Sequence, residues 1–202
     1  MRFGQSTTRF TAMLVALGVS GALLVPLVAN ARAFSRLIVG GRSVGPVRLG
    51  ERRAAVEAVA GAGKHLQSAP GVDVEFYKYP VSLEVTYRSG RVAGVSASKL
   101  VSCTGGCTAA VAFYHTKNGL YVSDPFNDFA ARYPHRRCRS ATYMGGADGT
   151  TPYDVHLCIV IAANGNFTSF EFNGPASQEP QGDAIGVGLK SGLAALESTP
   201  LS

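Results

Sequence analysis

The residues with the most distinctive chemistry are four cysteines, Cys103, Cys107, Cys138 and Cys158. In an oxidising compartment an even number of cysteines predicts two disulfides, for which three connectivities exist. We favour Cys103–Cys107, which closes a small ring, together with Cys138–Cys158. The second pair would join the segment after a predicted helix to a strand that faces the helix.

The histidines allow an alternative interpretation of the same segment, as a zinc site. His135-x-x-Cys138 and His156-x-Cys158 supply the ligand types that zinc prefers. A His-x-Cys pair on one strand has little freedom to arrange ligands, however, and the C-x-x-C spacing of zinc knuckles is absent. His156 lies two positions after Asp154, but no motif ties a serine or cysteine to them. We therefore predict no metal, no cofactor and no catalytic residue, and keep a secreted hydrolase using His156 with Asp154, possibly zinc-dependent, as the alternative.

Four arginines near the end of a predicted helix form the densest group of charges. Cations there complement the exposed carbonyl groups of the helix, and they also suit an acidic protein or an anionic envelope polymer. The strand over residues 157–162 is apolar on both faces, so the C-terminal tail, another part of the chain or a partner must cover one of them. The predicted binding residues are Arg132, Arg136, Arg137, Arg139, Leu157, Ile159 and Ile161.

Two segments of similar pattern would position these residues. A helix over residues 51–60 precedes strands at 74–79, 81–88 and 91–97. A second helix, with Asp124 as its expected N-cap, precedes strands at 140–144, 155–162 and 166–172. Ser89-Gly90 and Asn164-Gly165 mark hairpin turns. The predicted fold class is α+β: two tandem repeats of a helix followed by a three-stranded antiparallel sheet, stapled by disulfides.

The N-terminal segment resembles an export signal. Arg2 and Arg9 precede an apolar stretch over residues 10–28, and A-x-A patterns follow at 29–31 and 31–33. We predict a signal peptide over 1–33, with an uncleaved anchor as the alternative. The first repeat is expected at 34–100 and the second at 101–173. A linker and a short C-terminal helix or tail are expected at 174–202. No stable membrane span is expected after cleavage.

Composition narrows the possible partners and the source. The formal net charge of +6 includes three arginines of the leader, so the remaining body is only weakly basic and nucleic acid is not an expected partner. Arginine outnumbers lysine, and alanine and glycine are abundant, which favours a bacterial source with GC-rich coding. The expected location is secreted or extracytoplasmic, in the cell envelope.

A family resemblance adds to this interpretation. Residues 45–51, with the sequence Gly-Pro-Val-Arg-Leu-Gly-Glu, enter a short helix containing Ala55-Val56-Glu57, and residues 83–87 read Leu-Glu-Val-Thr-Tyr. This pattern resembles the SmpA/OmlA (outer-membrane assembly lipoprotein) domain, and it is similar to the tandem fold of β-lactamase inhibitory proteins. The likeness covers residues 44–97 and, more faintly, 118–172; the lipid-attachment cysteine of the lipoproteins is absent. It implies an exported, non-enzymatic module that binds other proteins.

Overall fold

The computed structural model describes residues 35–77, 83–98, 113–145 and 150–198. Within these ranges the chain forms twelve strands and three short helices. The helices are α1 (Arg53–Ala60), α2 (Phe126–Arg132) and α3 (Leu193–Ser198), and a 3₁₀ turn at Lys190–Gly192 precedes α3. The strands are β1 (Leu37–Val39), β2 (Ser43–Val44), β3 (Val47–Arg48), β4 (Lys64–Ala69), β5 (Val72–Tyr77), β6 (Leu83–Arg88), β7 (Arg91–Ser98), β8 (His115–Thr116), β9 (Arg137–Gly145), β10 (Thr151–Ile161), β11 (Phe167–Pro175) and β12 (Gln181–Gly188).

One antiparallel sheet of eight strands dominates the molecule, in the order β4-β5-β6-β7-β12-β11-β10-β9. Both predicted hairpin turns are present: Ser89 and Gly90 have positive φ between β6 and β7, and Gly165 has positive φ between β10 and β11. The sheet is made of two runs of strands, β4–β7 and β9–β12. Strands β7 and β12 pair where these runs meet, with Val95 opposite Val187 and Ala97 opposite Ile185. The sheet is therefore continuous from β4 to β9.

One face of this sheet, here called the core face, is covered by α1, α2 and a small sheet. Alternate residues such as Leu83, Val85 and Phe170 point to that face and are fully buried. Val56 of α1 and Phe129 of α2 belong to the same buried cluster, and the rings of Phe129 and Phe170 lie 4.6 Å apart. The small sheet has the order β3-β2-β1-β8. The opposite face of the large sheet is here called the outer face.

The predicted fold class is wrong. The chain is mostly β-structure, and its strands form one eight-stranded and one four-stranded sheet instead of two separate helix-and-three-strand repeats. The described residues contain one disulfide, and the predicted Cys103–Cys107 pair lies outside them. The prediction failed because hairpin patterns reveal only strands that are adjacent in sequence, whereas pairing between β7 and β12 joins segments more than 80 residues apart and leaves no local signal.

The C-terminal segment also differs from expectation. Residues 181–188, which fall in the expected linker and tail, form β12, and only Leu193–Ser198 are α-helical. Glycine is disfavoured in strands, and β12 contains three glycines, so the sequence did not predict a strand there. Here glycine is required by close approach: a Cβ on Gly188 would collide with the ring of Phe167, and one on Gly182 with the carbonyl oxygen of Val122.

The start of α2 lies one residue later than predicted. Pro125 occupies the N-cap position, and the Asp124 carboxylate instead accepts a hydrogen bond of 2.8 Å from the backbone N–H of Tyr121. Asp124 thus stabilises the turn that leads into the helix. In the part of the chain that the structure describes, no helix is both long and apolar enough to cross a membrane.

Candidate binding surface

Five of the seven predicted binding residues share the outer face of the large sheet. The strand registers place Arg137 opposite Ile159 and Arg139 opposite Leu157. Ile161 lies further along β10, opposite Phe167 of β11. Directly paired residues of antiparallel strands point to the same face, so these side chains form one continuous surface with arginines at its edge. This surface, here called the outer patch, consists of Arg137, Arg139, Leu157, Ile159 and Ile161.

Helix α3 lies against the outer patch. Arg139 donates a hydrogen bond of 2.8 Å to the carbonyl oxygen of Leu196, and the Arg137 guanidinium lies 3.5 Å from the Glu197 carboxylate. Ile159 is only 5% exposed, whereas Ile161 is 38% exposed. A cavity of about 150 Å³ remains between the patch and the helix. The tail therefore covers part of the second apolar face of β10 and leaves another part open.

The other two predicted arginines lie at the end of α2. Arg136 donates hydrogen bonds of 3.1 Å to the carbonyl oxygens of Ala130 and Tyr133, and its guanidinium lies 5.7 Å from the centre of the Phe129 ring. Arg132 forms an i,i+4 ion pair of 3.1 Å with Asp128. These contacts stabilise the C-terminus of α2. Two of the four predicted arginines therefore serve the helix, and the other two belong to the outer patch.

A larger cavity lies on the outer face beside the patch. Its volume is about 310 Å³, and its floor is formed by residues of β6, β7, β11 and β12, among them Gly94 and Gly186. The 3₁₀ turn and α3 form the opposite wall through residues that include Leu189 and Leu196. Because Leu196 lines this cavity and the smaller one, α3 has incompletely filled space on two sides.

The outer face also carries an acidic group that sequence reasoning missed. Glu171 of β11 lies opposite Leu157 and beside the patch. Burial raises the pKa of the Glu171 carboxyl, and the negative charges of Asp183 and Glu84 raise it further. Asp183 lies on the next strand along the chain, whereas Glu84 lies on the distant strand β6, and only the sheet order brings it near the other two acids.

A second missed group lies on the core face between α1 and β5–β6. The Tyr77 hydroxyl donates to Glu75 at 2.6 Å and lies 2.7 Å from the Tyr87 hydroxyl. Arg53 of α1 forms ion pairs with Asp73 and Glu75 at 2.7 and 3.3 Å. Burial raises the pKa of Tyr77 well above the ordinary value for tyrosine and that of Tyr87 to about 12. Both phenols therefore stay neutral and keep their hydroxyl protons. These protons form the hydrogen bonds that link Tyr77, Glu75 and Tyr87.

The predicted Cys138–Cys158 disulfide is present, between directly opposed residues of β9 and β10. It commits both sulfurs to a covalent bond, so neither is a thiolate able to bind zinc. Cys103 and Cys107 lie outside the described residues. Among the described residues, no three His, Cys, Asp or Glu side chains are grouped so that they could hold a metal ion.

The residues of the alternative hydrolase lie on the core-face side of β9 and β10. His156 Nδ1 is 2.6 Å from the Ser140 hydroxyl, and its ring stacks on Phe126 with centres 4.6 Å apart. Asp154 accepts a hydrogen bond of 2.5 Å from Thr142. Ser140 was missed in the sequence because it neighbours His156 only through strand register.

Comparison with known proteins does not place the chain in a family: no family model, no curated protein and no solved structure matches it.

Proposed function

We propose that the chain is an exported, non-enzymatic module of the cell envelope or medium that binds another protein through the outer patch. One observation carries this proposal: the patch combines an apolar centre at Leu157 and Ile159 with arginines at its edge. Protein interfaces typically have apolar centres and polar rims, and arginine is enriched in them. The arginines favour an acidic partner surface.

The proposed location rests on two features. The Cys138–Cys158 disulfide fits an oxidising, extracytoplasmic compartment. The signal peptide over residues 1–33, which lies outside the described residues, remains a prediction from its basic start and apolar stretch. The resemblance to SmpA/OmlA domains and β-lactamase inhibitory proteins also stays a prediction, since no comparison bears on it.

Affinity capture with matched charge reversals tests the proposed surface. The immobilised protein, Arg137→Glu and Arg48→Glu are exposed to envelope and medium fractions of the producing cell. Arg137 lies on the patch, whereas Arg48 is an exposed arginine of the small sheet. We expect an acidic protein to bind the unaltered chain and Arg48→Glu, and to be lost from Arg137→Glu, with binding that weakens as salt increases.

Three results would contradict the proposal. Equal retention by both variants would place the binding surface elsewhere. Reproducibly empty capture would remove the support for a protein partner. If protease treatment leaves the captured material intact, the partner is an anionic envelope polymer and not a protein.

The second candidate function is a secreted hydrolase that uses His156, favoured by the Ser140–His156 contact of 2.6 Å. The geometry is less suitable than in serine hydrolases, where Nδ1 faces the carboxylate and Nε2 the nucleophile. Here Nδ1 faces the serine, and Asp154 is hydrogen-bonded to Thr142. Hydrolysis of an ester, peptide or glycan substrate that is abolished by both Ser140→Ala and His156→Ala, with the fold intact, would favour this candidate.

A further inference from the structure

We infer that the outer patch is a docking site for an amphipathic, acidic helical segment of a partner protein, and that α3 occupies this site in the free chain as a displaceable substitute for that segment. The inference rests on the proposed function and deepens it by specifying the chemistry of the partner. It has three supports: what α3 contacts, how loosely it is held and what sequence it carries.

The contacts of α3 coincide with the outer patch. Arg137, Arg139, Leu157 and Ile159 line the smaller cavity together with Leu196 and Glu197 of the helix. Both arginines of the patch contact the helix, one at a backbone carbonyl and the other at a carboxylate. An external helix that binds the same residues must therefore displace α3.

Helix α3 is held weakly in comparison with the sheet beneath it. Each of its six residues is half-buried or exposed, and the cavities of about 310 and 150 Å³ adjoin Leu196. Unfilled space removes dispersion contacts that a well-packed helix would make. The Arg137–Glu197 pair is exposed at the surface, where ion pairs contribute little. Segments with few buried contacts open locally without unfolding the domain.

The sequence of α3 indicates what the site accepts. Leu193 and Leu196 are three residues apart and lie on one side of the helix, and Glu197 follows directly. The patch meets this pattern with apolar side chains and guanidinium groups. Docking of a helix in an apolar groove commonly uses anchors at such spacing. A partner segment with two large apolar residues three apart, followed by an acid, would reproduce these contacts and could fill the remaining space.

Binding of a synthetic peptide to the full chain tests the inference. The probe is a fluorescently labelled peptide with the sequence of residues 190–202, measured by fluorescence anisotropy against the unaltered chain, Leu196→Ser and the control Ala194→Ser. Ala194 is exposed on the same helix. Because a closed α3 reduces the fraction of binding-competent chain, we expect Leu196→Ser to bind the peptide about tenfold more tightly than the unaltered chain and Ala194→Ser to match the unaltered chain.

The chemistry of the site is tested by charge reversal on both partners. In the Leu196→Ser background, Arg137→Glu should weaken peptide binding, and a peptide with lysine in place of the glutamate should bind less well than the original. Arg48→Glu in the same background should bind as tightly as Leu196→Ser alone. Equal peptide binding by all chains, or binding insensitive to charge at Arg137, would overturn the inference.

Hydrogen exchange keeps the inference falsifiable if a variant is unstable. In Leu196→Ser we expect faster exchange at amides 193–198 and unchanged protection in β10. Loss of protection in β10 would show that α3 is an integral part of the fold, and the inference would be wrong. The peptide assay needs no cellular partner, so an empty affinity capture and a failed peptide assay are separate outcomes.

Discussion

At the scale of single residues, a buried network of polar contacts on the core face surrounds Tyr77. Its hydroxyl connects Glu75 to Tyr87, and all three residues are buried. The backbone fits closely around this group, because a Cβ on Gly63 would lie 2.7 Å from the Tyr77 ring and 2.9 Å from the Glu75 carboxylate. Buried polar groups contribute to stability only when their partners are present, so each member depends on the others.

The first prediction is that Tyr77→Phe destabilises the protein by about 1–3 kcal/mol, because it removes the hydroxyl that donates to the buried Glu75 carboxylate. Urea unfolding followed by circular dichroism measures this loss. Tyr121→Phe is the control, since Tyr121 is 37% exposed, and it should change stability by less than about 0.5 kcal/mol. Equal effects of the two substitutions would show that the network does not stabilise the fold.

Glu171 gives a prediction about pH. Its pKa is raised from the ordinary value of 4.5 by burial and by neighbouring acids. A carboxyl whose folded pKa is raised gives full stability below the unfolded pKa, and this stability is lost as the pH rises through the folded pKa. Glu171→Gln should therefore stabilise the protein more at pH 7 than at pH 4, relative to the unaltered chain.

The measurement is the difference in unfolding midpoint between Glu171→Gln and the unaltered chain at each pH. Glu57→Gln, a change at an exposed site of α1, serves as the control and should show a smaller pH-dependent difference. A stabilisation by Glu171→Gln that is the same at pH 4 and pH 7 would contradict the prediction.

At the scale of elements, the disulfide fixes the last strand of the large sheet. Cys138 of the outermost strand β9 is exposed, whereas Cys158 of β10 is fully buried in the core cluster. The bond closes a loop with a sequence separation of 20 residues. It thereby restricts the unfolded chain and holds an edge strand that pairs on one side only.

The third prediction is that replacing Cys138 and Cys158 together by alanine destabilises the protein by about 3 kcal/mol, the loss expected from loop entropy. The measurement is chemical unfolding of the purified oxidised protein. The matched control replaces Cys103 and Cys107 by alanine, and it should cost less because the predicted ring is smaller. Equal stability of the first variant and the unaltered chain would contradict the prediction.

Local elements could be predicted where local chemistry decides them. Ser89-Gly90 and Asn164-Gly165 indicate their hairpins because both turns need positive φ. The strand over residues 157–162 is apolar on both faces, and the need for cover over one of them was visible from this pattern. That α3 provides part of this cover could not be deduced, since the tail, another part of the chain and a partner satisfy the same requirement.

Long-range features could not be predicted for a different reason. The contact between Ser140 and His156 depends on strand register, and the clustering of Glu171 with Glu84 depends on sheet order. A single sequence does not reveal register between distant strands. The sequence therefore indicated which residues could form the candidate site, and the structure shows which of them share one face.

At the scale of the whole molecule, the two runs of strands share one core. The buried cluster extends from Val56 of α1 through Val95 and Ile185 at the β7–β12 pairing to Phe170 and Cys158. The turn between β1 and β2 is also tied to the β10–β11 hairpin, since Gly41 donates to Thr168 and accepts from Asn166. These contacts connect parts of the chain that are distant in sequence.

The fourth prediction follows from this shared core: the described body should unfold in a single cooperative transition, not in two. The chain contains no tryptophan, so thermal unfolding is followed by far-UV circular dichroism and by tyrosine fluorescence. Coincident curves are expected. Two separated transitions, or different midpoints for the two signals, would show that the halves of the sheet unfold independently.

The two outermost strands of the large sheet each have one edge at which another molecule could pair. An open sheet ends in unpaired backbone groups, which can recruit a strand from another molecule and start aggregation. Strand β9 carries the charged Arg137 and Arg139, and β4 carries Lys64 and a register irregularity between His65 and Gln67. Charges and bulges are the features by which natural sheets discourage pairing at their edges. We therefore expect the arginines of the outer patch to have a second consequence, which is to disfavour polymerisation of the chain through its own sheet.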